Sequence, residues 1–248
     1  MGIQIHADAA YRTAVAWLRA GVIGRATEVH TFCGKGWGGL VPDKRPDPIP
    51  ARLDWEGYCG VSPTIPYVDG YFHPGNWRRW QNFGTGTLGD MGCHILDPVF
   101  GGLEFVGARS VVSHLEGPPR PENFPYNAHV TWEMEATRRT AGRIALHWYH
   151  GDTRPPASIL PGGQIPGTGS VVVGERGRMV IPHWAIPTVT DLDGRKRTDL
   201  PPAEKSDNHY HEWVEVAEGK RRGPCGAHLA YAAALTETVL LGNVASWQ

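Results

Sequence analysis

Asp90 and His94 stand one helical turn apart, and Asp97 follows three residues later. On a helix all three point along one stripe. A carboxylate, an imidazole and a second carboxylate so arranged can move a proton and grip hydroxyl groups. Asp90 and His94 are therefore the candidate catalytic pair, and Asp97 a candidate substrate-binding residue. Asp90 has a second reading as a helix cap, because Thr87-Leu-Gly-Asp90 has the form of a capping box. His94 could instead be a hydrogen-bonded core histidine, and Asp97 a pairing or capping residue. Just upstream, His73, Trp77, Arg78 and Trp80 offer an aromatic floor and a cationic donor for a hydroxyl-rich or anionic substrate. Their other reading is a loop pinned by tryptophans. Tyr149 and Arg154 read as a pocket wall supplied by the sheet. Cys93 has no adjacent base and reads as a packing residue.

These residues need a scaffold. Residues 9–20 have apolar positions at helical spacing and stop at Gly21. Residues 25–33 alternate as a strand. Residues 34–66 are rich in Gly and Pro and form a long connection, a feature usually tied to function. After the Asp90 helix the pattern turns to strands at 108–114, 128–135 and 142–149, then to a hairpin, 170–173 and 178–181, around Gly174-Glu-Arg-Gly177. Residues 208–218 and 227–244 are helical. Five or six strands in succession, without helical crossovers, predict an α+β fold: an open, mainly antiparallel sheet with helices on one face.

The 248 residues carry a net charge of −1, so no basic excess points to nucleic acid. The four cysteines are far apart, which fits a reducing compartment and no disulfide framework. No leader pattern is visible, and the longest apolar run is broken by polar residues, so a soluble, cytoplasmic protein without membrane contact is expected. The pairs His147/His150 and His209/His211 have no recognised ligand spacing, and no metal is expected. Gly34-Lys-Gly-Trp-Gly-Gly39 satisfies Gly-x-Gly-x-x-Gly. Four prolines between positions 42 and 50 forbid the helix that would hold a pyrophosphate, so no cofactor-binding residue is assigned.

Several segments together resemble the C-terminal domain of the glucose-fructose oxidoreductase/inositol dehydrogenase/MocA (Gfo/Idh/MocA) family. They include Gln4-Ile-His-Ala7, Arg19-Ala-Gly-Val-Ile-Gly24, Leu53-Asp-Trp55, His73-Pro74 with Asn76-Trp-Arg78, and residues 83–97. Trp148-Tyr149 with Arg154-Pro-Pro156, His211-Glu-Trp213 and residues 235–244 continue the pattern. The resemblance implies a sugar or polyol substrate domain whose aspartate and histidine, matching Asp90 and His94, hold hydroxyls beside the oxidised carbon. It also implies homo-oligomers built through the sheet and a pocket position for His6. Family members begin with a Rossmann domain that binds NAD or NADP, and carry a Glu-Lys-Pro lysine that transfers the proton. This sequence shows neither, so residues 1–248 read as one substrate domain without cofactor. Either it is a fragment or it is a natural short protein. Three functions follow: a sugar or polyol oxidoreductase once a nucleotide domain and NAD(P) are supplied; a cofactor-independent lyase, isomerase or glycoside hydrolase using Asp90 and His94; or a non-catalytic binding module.

Overall fold

Asp8 accepts a hydrogen bond from the Ala10 amide (2.8 Å) and so caps helix α1, Ala9–Arg19. Gly21, with φ of 67°, ends the turn that follows. The apolar stripe of α1 (Ala10, Tyr11, Ala14, Trp17, Leu18) is buried. It packs on the short helix α4, Asp97–Gly102, where a Cβ on Gly102 would lie 2.5 Å from Leu18. The structure, a computed structural model, describes residues 2–39, 45–115 and 122–247.

Strand β1 (Ala26–Cys33) is central. The other strands are β2 (Ala108–Ser113), β3 (Ala128–Met134), β4 (Thr140–His150), β5 (Thr168–Gly174), β6 (Gly177–Pro182) and β7 (Thr188–Thr190). Their order is β2-β3-β4-β1-β5-β6-β7. All neighbours pair antiparallel except β1 and β4, which are parallel. Between them the chain makes helices α2 (Trp55–Cys59), α3 (Gly86–Ile95) and α4 and two strands, a crossover long enough for parallel pairing. The fold is the expected α+β layer. The short edge strand β7 and helix α2 have too few residues to show a periodic pattern.

Alternation splits the sheet into two faces. Val29, Val130, Trp132, Leu146, Trp148, Val172, Met179 and Ile181 point to the helix side and join α1, α3, α4 and α6 (Leu229–Ala245) in the main core. Glu28, His30, Phe32, Thr131, His147 and Tyr149 have the opposite parity. That face is covered in part by Ile159, Leu160 and Ile165, which pack with Phe32, Tyr149, Val171 and Val180. A satellite core of Trp55, Tyr67, Phe72 and Trp80 consolidates the segment before α3. Trp80 is thus a packing residue, its indole N–H donating to Tyr71 O at 2.7 Å. Helix α5 (His209–Ala217) is capped by Asn208, which accepts from the amides of Tyr210 and His211. Among the described residues no helix is long and apolar enough to cross a membrane.

Candidate active site

The expected helix is α3, but it starts two residues earlier than a capping box would require. Thr85 holds the N-cap position and Thr87 lies inside the helix, where its hydroxyl accepts from the Trp37 amide. Gly86 has φ of 60°, and a Cβ there would also strike the Phe124 ring, so glycine alone fits this entry. Asp90 is therefore not a cap. Its Oδ1 accepts from Arg78 Nε at 2.8 Å. Arg78 stacks over Trp77 (4.5 Å to the ring centroid) and also donates to Gly75 O. Trp77, Arg78 and Asp90 come together as the sequence suggested, with Arg78 serving the carboxylate.

One turn on, His94 is partly buried and its Nδ1 has no hydrogen-bond partner among the described residues. Burial lowers its pKa below the ordinary 6.5; Asp90 and Asp97 pull upward and Lys35 pushes it further down. The ring is neutral at neutral pH. Lys35, just beyond β1, makes a 3.5 Å contact with Met91 Sδ and, among the described residues, no ion pair. His183, just beyond β6, accepts or donates through Nδ1 to the Tyr11 hydroxyl at 2.8 Å. Burial first, then His94 and Lys35, lower its pKa to about 4. Burial, then Asp90 and Asp97, raise the Cys93 thiol to about 11, so it stays protonated.

The helix breaks at Leu96, and Pro98 starts α4 with Asp97. The single stripe is therefore divided. Asp97 is buried and accepts from His6 Nδ1 at 2.9 and 3.0 Å and from the Tyr231 hydroxyl at 2.6 Å. Burial opposes a charged His6, but the hydrogen bond and charge of Asp97, then Glu212, leave its pKa raised. His6 and Tyr231 line a cavity of about 650 Å³ with Arg12, Arg19, Glu204 and His228. The network orients His6 toward that space and keeps Asp97 out of solvent.

Three expected residues lie elsewhere. Tyr149 points to the open sheet face, opposite Trp148, because side chains alternate along β4. Arg154 is on that same face, over Phe32 (5.3 Å) and donating to Pro166 O and Gly167 O. His73 is exposed with its edge against Tyr58. Lys35, Tyr11, His183 and Tyr231 were not singled out for the site, since they come from four separate segments with no shared spacing. The glycines at 34–39 are packing positions: a Cβ on Gly36 would meet the Tyr126 ring, and one on Gly38 the Phe124 carbonyl. The described residues 34–39 are not helical.

Residues 16–121 match the Gfo/Idh/MocA family model described as oxidoreductase family, C-terminal alpha/beta domain, as the motifs implied. No curated protein matches the sequence. Among solved structures, an NAD-binding protein from Listeria innocua aligns at TM-score 0.58 and 14% identity, covering 99% of this chain and 64% of its own. A Bordetella bronchiseptica protein proposed to be a dehydrogenase aligns at 0.56 and 14%, covering 99% and 66%. A Thermotoga maritima protein proposed to be an oxidoreductase aligns at 0.53 and 17%, covering 99% and 60%. These likenesses establish a shared fold. The chain spans about three fifths to two thirds of the length of these structures.

Proposed function

We propose that this oxidoreductase-family domain binds a sugar or polyol and prepares one of its hydroxyl-bearing carbons for hydride exchange with a nicotinamide. The observation that carries this reading is His94: a neutral imidazole with an unpartnered, buried Nδ1, one turn from a carboxylate held by Arg78. A neutral imidazole can take the hydroxyl proton as the carbon is oxidised. Asp90, kept in place by Arg78, accepts from a neighbouring hydroxyl. Lys35 supplies positive charge where an alkoxide would develop. NAD or NADP, when bound, would accept the hydride; the described residues offer no cradle for it, and no step of this chain's own chemistry passes through it.

The test uses the complete polypeptide carrying these residues, a panel of aldoses and cyclic polyols, and NAD+ or NADP+, followed by absorbance of the reduced cofactor. One substrate class should turn over, with His94→Gln lowering kcat by roughly 10²-fold or more. Asp90→Asn should raise KM as well. Conversion of the sugar with no reduction of nicotinamide would overturn the proposal in favour of lyase, isomerase or hydrolase chemistry.

A further inference from the structure

The parallel pairing of β1 with β4 places His30 directly opposite His147, and Glu28 two residues before His30 on the same, open face of the sheet. Glu28 Oε1 is 3.3 Å from His30 Nε2 and 3.2 Å from His147 Nε2. All three atoms lie within 4.8 Å of one another. We propose that Glu28, His30 and His147 form a binding site for a divalent first-row transition ion such as Zn2+, separate from the Asp90–His94 site and on the other face of the sheet.

Three observations support the assignment. The carboxylate-to-nitrogen separations match the edge of a tetrahedron: metal bonds of about 2.0–2.1 Å set ligand atoms about 3.3–3.4 Å apart. The third edge, between the two imidazole nitrogens, is no longer than 4.8 Å. Next, both imidazoles are held from behind. His30 Nδ1 meets the Tyr149 hydroxyl at 3.2 Å, and His147 Nδ1 meets the Thr131 hydroxyl at 3.0 Å. A ring N–H donated to an outer partner is the arrangement that turns the other nitrogen's lone pair toward a metal. Finally, His30 Nε2 is buried and makes no aligned hydrogen bond, although Glu28 Oε1 is close. A plain imidazole–carboxylate hydrogen bond would have satisfied that atom. With each ring N–H donated to its outer partner, two lone pairs and a carboxylate oxygen would converge on one point, an arrangement that a cation between them satisfies. Imidazole and carboxylate donors suit Zn2+, and three protein ligands leave a fourth position open beside the half-exposed Glu28.

The test is calorimetric titration of Zn2+ into the full chain after chelator treatment and dialysis, with Co2+ as an optical probe. One equivalent per chain should bind, and Co2+ should give the intense visible bands of tetrahedral coordination. His147→Ala and Glu28→Gln should each weaken binding by at least about tenfold, the least that even the loss of an outer partner costs. His211→Ala, on α5, and Asp90→Asn should bind as the parent does. Glu28 is half exposed, so Glu28→Gln keeps the test valid if His147→Ala does not fold. Absence of saturable binding, or equal binding by Glu28→Gln, overturns the proposal.

Discussion

Lowering the pH should destabilise this fold through His150, and the size of the effect follows from two hydrogen bonds. His150 is buried at the end of β4. Its Nδ1 accepts from the Trp148 indole N–H at 2.8 Å, and its Nε2 donates to Pro125 O at 3.3 Å. Only the neutral ring with the proton on Nε2 satisfies both. A second proton on Nδ1 would face the Trp148 N–H in a buried site. Burial accordingly lowers the pKa from 6.5 to about 4, the Pro125 carbonyl pulling slightly upward. The unfolded chain therefore takes up this proton below pH 6.5 and the folded chain only near pH 4. The stabilisation is complete above pH 6.5, is lost as pH falls through this window, and totals about 3 kcal/mol at roughly 1.4 kcal/mol per pH unit. Between pH 7 and pH 5 the loss is about 2 kcal/mol. Urea unfolding followed by circular dichroism at these two pH values measures it. His150→Asn keeps an acceptor for Trp148, should cost about 1–3 kcal/mol at pH 7, and should show a pH slope shallower by about 2 kcal/mol. His183 and His129, both also lowered to about 4, act equally in parent and variant and cancel in the difference. Equal slopes for the two proteins would refute the reasoning. The site shares the consequence, because the Gly151 amide donates to Lys35 O and the end of β4 thus anchors the segment carrying Lys35.

Asp97→Asn removes the buried charge beside His6 and should destabilise by about 3 kcal/mol. His6, raised in the parent, stabilises the fold fully below pH 6.5 and loses that contribution as pH rises through its folded pKa; in the variant burial, the largest influence, is opposed only by the smaller pull of Glu212, and an NMR titration should find His6 below 6.5. Arg78→Met frees Asp90 from its partner and should raise KM more than it lowers kcat, in steady-state kinetics of the complete polypeptide. Gly38→Ala would press a methyl group to within 2.0 Å of Phe124 O and should lower the unfolding free energy by about 1–3 kcal/mol, measured by urea titration.

The parts of the fold legible in the sequence were those whose signal is local. An apolar stripe at helical spacing that stops at Gly21 gave α1, and two glycines around Glu-Arg gave the β5–β6 hairpin. Asp90 and His94 were legible because a helix of this length must place i and i+4 on one side. Asp97 failed the same extrapolation for a local reason, the break before Pro98. Tyr149 and Arg154 failed for another. A run such as Trp148-Tyr149 says that adjacent residues take opposite faces, but which of them faces the helices depends on what the neighbouring strands bury.

The residues that escaped the sequence altogether share a cause. Lys35 reaches Met91 on α3 because β1 ends at Cys33 beneath that helix, and His183 reaches Tyr11 because β6 ends at the same end of the sheet. His147 meets His30 through a parallel register 117 positions long in sequence, set by where the crossover returns to the sheet. None of these distances has a counterpart in spacing. A one-residue slip of β4 against β1 would turn His147 into the helix core and Trp148 out to the open face, exposing a large indole. The buried position of Trp148 in the main core therefore fixes the register. The same packing that stabilises the sheet is what aligns three metal-competent side chains on its other face.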